Sequence, residues 1–119
     1  MKGVALVLLL MLSGCATQSN WSTHDTWMQV GVTVALAADA YTTSKIQYNP
    51  PLIEVGLARH VLGPIPSTRD TYMYFGTAMI SSYLISRWLP PRLRPWWQGA
   101  IILVETKVVA VNCSNGLCP

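Results

Sequence analysis

The chain has 119 residues, a formal net charge of +3, 51% hydrophobic residues and only 11% charged ones. That length suits a single domain, and the apolar balance excludes a disordered chain, which needs low hydrophobicity and high net charge. Charge at less than half the ~25% usual for soluble domains points to a body partly buried in lipid or in a protein partner. No basic run is dense enough for nucleic acid, and no RNP or zinc-finger pattern is present.

Lys2 supplies a one-charge start, and Val4 to Leu12 is an apolar stretch within the ~7–15 residues of a secretory leader. It is too short to span a bilayer, which takes ~20 apolar residues. Ser13 and Gly14 follow, and then Cys15. The run Leu12-Ser13-Gly14-Cys15 resembles the lipobox of bacterial lipoproteins: an aliphatic residue, a small residue, Gly or Ala, then Cys. The resemblance implies that Cys15 receives diacylglycerol, that residues 1–14 are cut away as a signal peptide, and that the new amino group is acylated. Three acyl chains exceed what stable anchoring needs. Ala16 after the cysteine, rather than Asp, is what the same resemblance associates with the outer membrane.

Residues 15–24 read as a polar tether. A first helix is expected from about Asp25 to Lys45, with Thr23 or Asp25 as its N-cap. Pro50, Pro51, Pro64 and Pro66 break the next stretch, leaving room for a short amphipathic helix between Leu52 and Leu62. Ser67 precedes a second long helix, Thr68 to Leu89, with Asp70 in its first turn. Pro90 and Pro91 end it, and Pro95 opens a third, running to about Asn112. No segment alternates with the period of two that strands require. The expected fold is therefore all-α: three main helices, a possible short one, a Pro-rich connection, a domain over residues 25–112, and a tail over 113–119.

The tail holds Cys113 and Cys118 around the turn signal Asn115-Gly116, so a disulfide in an oxidising compartment and free thiols in a frayed end are both open. Zinc is not expected: His24 and His60 have no ligand spacing to a cysteine. His60, beside Arg59, reads as a surface residue.

Trp88, Trp96 and Trp97 stand beside Arg87, Arg92 and Arg94 at one end of a helical hairpin, as in an interfacial belt. Small residues at four-residue spacing (Gly31, Ala35 and Asp39; Ala78, Ser82 and Ser86) permit close helix approach in lipid. Together they favour a membrane-inserted hairpin of the second and third helices. Thr71 to Ser86 is nevertheless just short of a usual span, and Glu105 and Lys107 interrupt the third helix. Three arginines in the 87–95 turn read as cytoplasmic, which conflicts with a periplasmic Cys15 on an outer membrane. Inner and outer membrane both stay open.

Gln98, Glu105 and Asn112 recur every seven residues and so form one polar stripe. Asp39 lies on the small-residue face of the first helix with Thr42 and Thr43 beside it. Polar groups in apolar surroundings pair with each other or form a site, so Asp39 and Glu105 are expected to meet, with Asn112, Tyr74 and Thr77 as hydrogen-bond partners. Such a cluster serves either to fix helix register or to bind a proton, cation or polar ligand. No phosphate loop, serine-hydrolase elbow or zinc-protease motif appears, so no catalytic residue and no cofactor is expected.

Asp39-Ala40-Tyr41-Thr42-Thr43 followed by Asn49-Pro50 is similar to a pattern in short bacterial and phage membrane proteins. There an Asp-x-x-Thr helix end leads to a Glu-Asn-Pro turn and further apolar helices; here Tyr48 takes the place of the Glu. The expected function is a non-enzymatic, lipid-anchored envelope protein on the periplasmic side, acting on membrane lipid or envelope-protein partners. The alternatives are a small intramembrane polar site on Asp39 and Glu105, and a soluble periplasmic bundle tethered only by Cys15. Nothing in the sequence sets the oligomeric state.

Overall fold

The computed structural model describes residues 20–119; the expected leader, the lipobox-like run with Cys15 and residues 16–19 lie outside the described residues. The body is a small all-α bundle. Helix α1 is Thr23–Ser44, α2 Arg59–Leu62, α3 Thr68–Trp88 and α4 Arg94–Ser114, with a 3-10 turn at Ile46–Tyr48.

The helix starts follow from side-chain caps. Ser22, not Thr23 or Asp25, caps α1: its Oγ accepts from the Asp25 amide and the Asp25 carboxylate accepts from the Ser22 amide. Asp25 is the third residue of the helix, so the two close a reciprocal capping box. Ser67 caps α3 in the simpler way, accepting from the Asp70 amide. Helix α4 opens on Arg94-Pro95, where the missing proline donor costs nothing. It ends in a Schellman turn: the Leu117 amide donates to the Asn112 carbonyl and the Gly116 amide to that of Cys113. Gly116 sits at φ +83°, which glycine adopts without strain. Leu117 is buried, and a Cys113–Cys118 disulfide closes the turn.

The expected amphipathic helix over Leu52–Leu62 is reduced to its last turn. The Glu54 amide donates to the Pro64 carbonyl and its side chain is wholly buried, which holds Leu52–Val55 outside helical geometry. Gly63, also at positive φ, ends α2.

Helix α1 is the shared partner of the bundle, packed along both α3 and α4, which touch each other much less. The bundle is thus organised around α1 and not around the pairing of the last two helices. The reason is in the seams. Asp25, Gln29, Val32, Leu36, Asp39 and Thr43 on α1 alternate steps of four and three. So do Arg94, Gln98, Ile101, Glu105, Val108 and Asn112 on α4. Two such stripes run together along parallel helices. Antiparallel α3 supplies Ser82 and Ser86, both buried, and Phe75. Gly31 lets α4 approach: a Cβ there would stand 3.0 Å from Ile102 Cδ1.

The apolar core is a middle layer of Val32, Leu36, Ala40, Ala58 and Phe75. Polar layers lie towards both ends of the bundle. Among the described residues the buried polar and charged side chains outnumber the buried hydrophobic ones, while Trp27, Val34, Met73, Ile80, Trp96 and Leu103 are each more than half exposed. No helix among the described residues is long and apolar enough to cross a membrane.

Candidate functional site

The first polar layer lies where α1 begins, and it is an ion pair. Arg94 Nη1 donates to Asp25 Oδ2 at 3.1 Å and to the Asn20 carbonyl at 2.8 Å, while its Nε donates to the Ser86 carbonyl at 2.8 Å. Arg94 is completely buried, and its guanidinium lies over the Trp21 ring, as does that of Arg87. Gln98 Nε2 donates to the Asp25 carbonyl and to Gln29 Oε1. Gln29 in turn reaches Ser82 Oγ. Burial pushes the Asp25 carboxyl up, but the Ser22 hydrogen bonds and Arg94 outweigh it and hold the pKa below its ordinary value. Arg94, expected in an exposed belt with Arg87 and Arg92, is thus an interior residue. Its exposed neighbours Trp88 and Trp96 keep the surface character the sequence suggested.

The second layer lies beyond the apolar core, and it is made of carboxylates. Asp39, Thr42, Thr43, Glu54 and Asn112 are buried. Asn112 Nδ2 donates to Thr42 Oγ1 at 2.9 Å and to Asp39 Oδ1 at 3.4 Å. Glu54 Oε1 accepts from the Gly56 amide. Thr43 Oγ1 stands 2.9 Å from both Asp39 Oδ1 and Glu54 Oε2. A hydroxyl has one proton, so it donates to one carboxylate only. The other contact becomes a hydrogen bond when that carboxyl is itself protonated and donates to Thr43.

The electrostatics agree with that geometry. Burial, a hydrogen bond with Glu105 and the negative charges of Glu105 and Glu54 raise the Asp39 pKa to about 8, against the pull of Thr43. Tyr74 faces the same cluster: burial and then Glu105, Asp39 and Glu54 push its pKa up as well. Glu105 is half-buried and reaches the edge of a cleft of about 200 Å³ walled by Leu36, Ala78, Ile85, Trp97 and Ile101. The arrangement can therefore hold a proton on Asp39 near neutral pH, with Glu105 standing between that carboxyl and the cleft.

Of the residues singled out from sequence, the fold brings together Asp39, Thr42, Thr43, Glu105, Asn112 and Tyr74. Gln98 shares their face of α4 but serves the Asp25–Arg94 layer, about four turns away. Thr77 is outside the cluster; it is exposed and donates to the Met73 carbonyl of its own helix. His60 and Lys107 are exposed. Cys15 lies outside the described residues. Among the described residues no group of three or more His, Cys, Asp or Glu side chains is arranged to hold a metal ion.

Sequence reasoning missed Glu54 and the pairing of Asp25 with Arg94. The signal for Glu54 was a lone acid between the apolar residues Leu52-Ile53 and Val55 in a proline-bounded loop. Tyr48, where the membrane-protein pattern has its Glu, is 69% exposed; the loop carboxylate comes from Glu54 instead. No family model, curated protein or solved structure matches this chain, so the site is read from its own geometry.

Proposed function

We propose that the protein is a lipid-anchored component of the bacterial envelope, held by acylated Cys15 on the periplasmic side and acting through contact with membrane lipid and envelope proteins. The observation that carries this reading is the distribution of polarity. Polar side chains fill the two buried layers, and large apolar ones crowd the exterior of all three long helices. Water penalises that exterior at roughly 25 cal/mol per Å², and contiguous exposed apolar surface marks a membrane or protein contact. The leader and lipobox supply the attachment, and the buried networks hold the helices in register so that the apolar faces stay outward.

The test is chemical. Full-length protein isolated from bacterial membranes is expected to begin at Cys15 and to carry diacylglycerol and an N-acyl chain, seen by intact mass and palmitate labelling. Cys15→Ser is expected to abolish both the label and the cleavage. An unlabelled chain, or one cut elsewhere, contradicts the anchor.

A second reading is favoured by the cleft that Glu105 lines: the Asp39–Glu54–Glu105 cluster as a small site for a proton or a polar ligand. The double substitution Asp39→Asn, Glu105→Gln separates the two. Survival of envelope function in that variant removes the site reading and leaves the network as a register device.

A further inference from the structure

The end of the bundle where α1 begins gathers features that are scattered in the sequence. Asn20, the first described residue, is bound through its carbonyl to Arg94 at 2.8 Å. Arg94 also holds the last turn of α3 through the Ser86 carbonyl. Asn20, the 89–93 turn and the openings of α1 and α4 therefore share one end. All five tryptophans, Trp21, Trp27, Trp88, Trp96 and Trp97, lie there. Trp27 is 70% exposed, Trp96 79% and Trp88 50%. Charge is divided as unevenly. This end has Arg87, Arg92 and Arg94 against the single acid Asp25, whereas over the rest of the described chain Lys45, Arg59, Arg69 and Lys107 balance Asp39, Glu54, Asp70 and Glu105.

Tryptophans concentrate at the membrane–water interface, and each basic residue near an anionic bilayer contributes about 1 kcal/mol. We propose that this end of the bundle docks on anionic phospholipid headgroups, with Trp27, Trp88 and Trp96 in the interfacial zone and Arg92 on lipid phosphate. The inference rests on the anchor reading and adds the orientation of the body and the class of lipid it meets. It also removes the conflict over the arginine turn. Five chain steps lead from Cys15 to Asn20, a reach of about 18 Å at most. The turn bonded to Asn20 through Arg94 therefore lies on the same side of a ~30 Å hydrocarbon core as the anchor.

The test uses full-length protein reconstituted into vesicles of phosphatidylcholine alone or mixed equally with phosphatidylglycerol, with brominated acyl chains as quenchers. All tryptophans lie at one end, so intrinsic fluorescence reports that end. Strong quenching is expected in the phosphatidylglycerol vesicles, relieved near 1 M salt, where the screening length is about 3 Å. Arg92→Gln is expected to shift the docking equilibrium about fivefold towards the free body, the equivalent of ~1 kcal/mol. Arg92 is exposed and outside the buried network, so folding is preserved. Tryptophans that stay unquenched, or are quenched equally in both vesicles without response to salt or to Arg92→Gln, overturn the proposal. Intact mass separates it from the anchor reading. An unacylated Cys15 with quenched tryptophans removes the anchor and keeps the docking end; an acylated Cys15 with unquenched tryptophans does the reverse.

Discussion

The two polar layers of this bundle solve the same problem in opposite ways. Each buries an aspartate of α1 on the seam it shares with α4, fourteen residues apart on the same face. At the tether end Asp25 meets Arg94 and two Ser22 hydrogen bonds, and its pKa is lowered. At the far end Asp39 meets Glu105, Glu54 and neutral donors, and its pKa is raised to about 8. One aspartate is kept charged by the Ser22 hydrogen bonds and a cation; the other is kept neutral by a proton. The lesson is that a buried acid is tolerated when its surroundings choose one protonation state, whichever that is.

The difference can be broken most severely at Arg94. Arg94→Leu leaves Asp25 charged and buried and strands the carbonyls of Asn20 and Ser86. A loss of about 3–5 kcal/mol is expected in urea unfolding followed by circular dichroism. An effect under 1 kcal/mol would show that the ion pair is not what holds the tether end together.

Asn112→Ala is expected to cost about 1–3 kcal/mol, because Thr42 Oγ1 and Asp39 Oδ1 lose their buried donor. Within the same cluster, the pH dependence should carry the signature of a raised acid. Below the ordinary aspartate value of 3.8 the folded and unfolded chains are both protonated at Asp39. Above it the unfolded chain releases a proton that the folded one retains. The contribution of Asp39 to stability is thus full at low pH and is lost as pH rises towards and through about 8. Asp39→Asn mimics the protonated form, so its unfolding free energy is expected to lose this slope and to exceed wild type above pH 8. Asp25 works the other way: its contribution is present above the ordinary aspartate range and is lost as pH falls through its lowered pKa. A wild-type slope that persists unchanged in Asp39→Asn would assign it to another group.

The smallest expected effects are local. Ser22→Ala removes half of the capping box at the tether end, for about 1 kcal/mol. Gly116→Ala places a side chain at φ +83° in the turn after α4, with open space around it, for roughly 1 kcal/mol from the backbone alone. A cap substitution that costs as much as Arg94→Leu would mean that Ser22, not the ion pair, organises this end.

Much of this contrast was legible in the sequence. The long helices announce themselves through Ser67, the Pro90-Pro91 break and Pro95, and the seven-residue recurrence of Gln98, Glu105 and Asn112 marks the buried face of α4. Asp39 among small residues points to its meeting with Glu105. Extending the same stripe back one turn reaches Arg94, but an arginine beside three tryptophans reads equally well as an interfacial group. Only the fold, by placing Asn20 and Asp25 next to it, assigns it to the interior. Glu54 was hidden for a different reason. It sits on no periodic element, and its burial depends on the loop folding back so that its amide meets Pro64. That α1 is the shared partner could not be read from either stripe alone, because it follows from matching two of them in parallel.

The contrast itself is tested most directly by following the side-chain carboxyl carbons of Asp25 and Asp39 by NMR as pH is varied. The account predicts that Asp25 titrates below the ordinary aspartate value while Asp39 keeps its proton until about pH 8. It also predicts that Glu105→Gln, which removes the charge of Glu105, moves Asp39 downward. Two aspartates titrating together in the ordinary carboxylate range would contradict it.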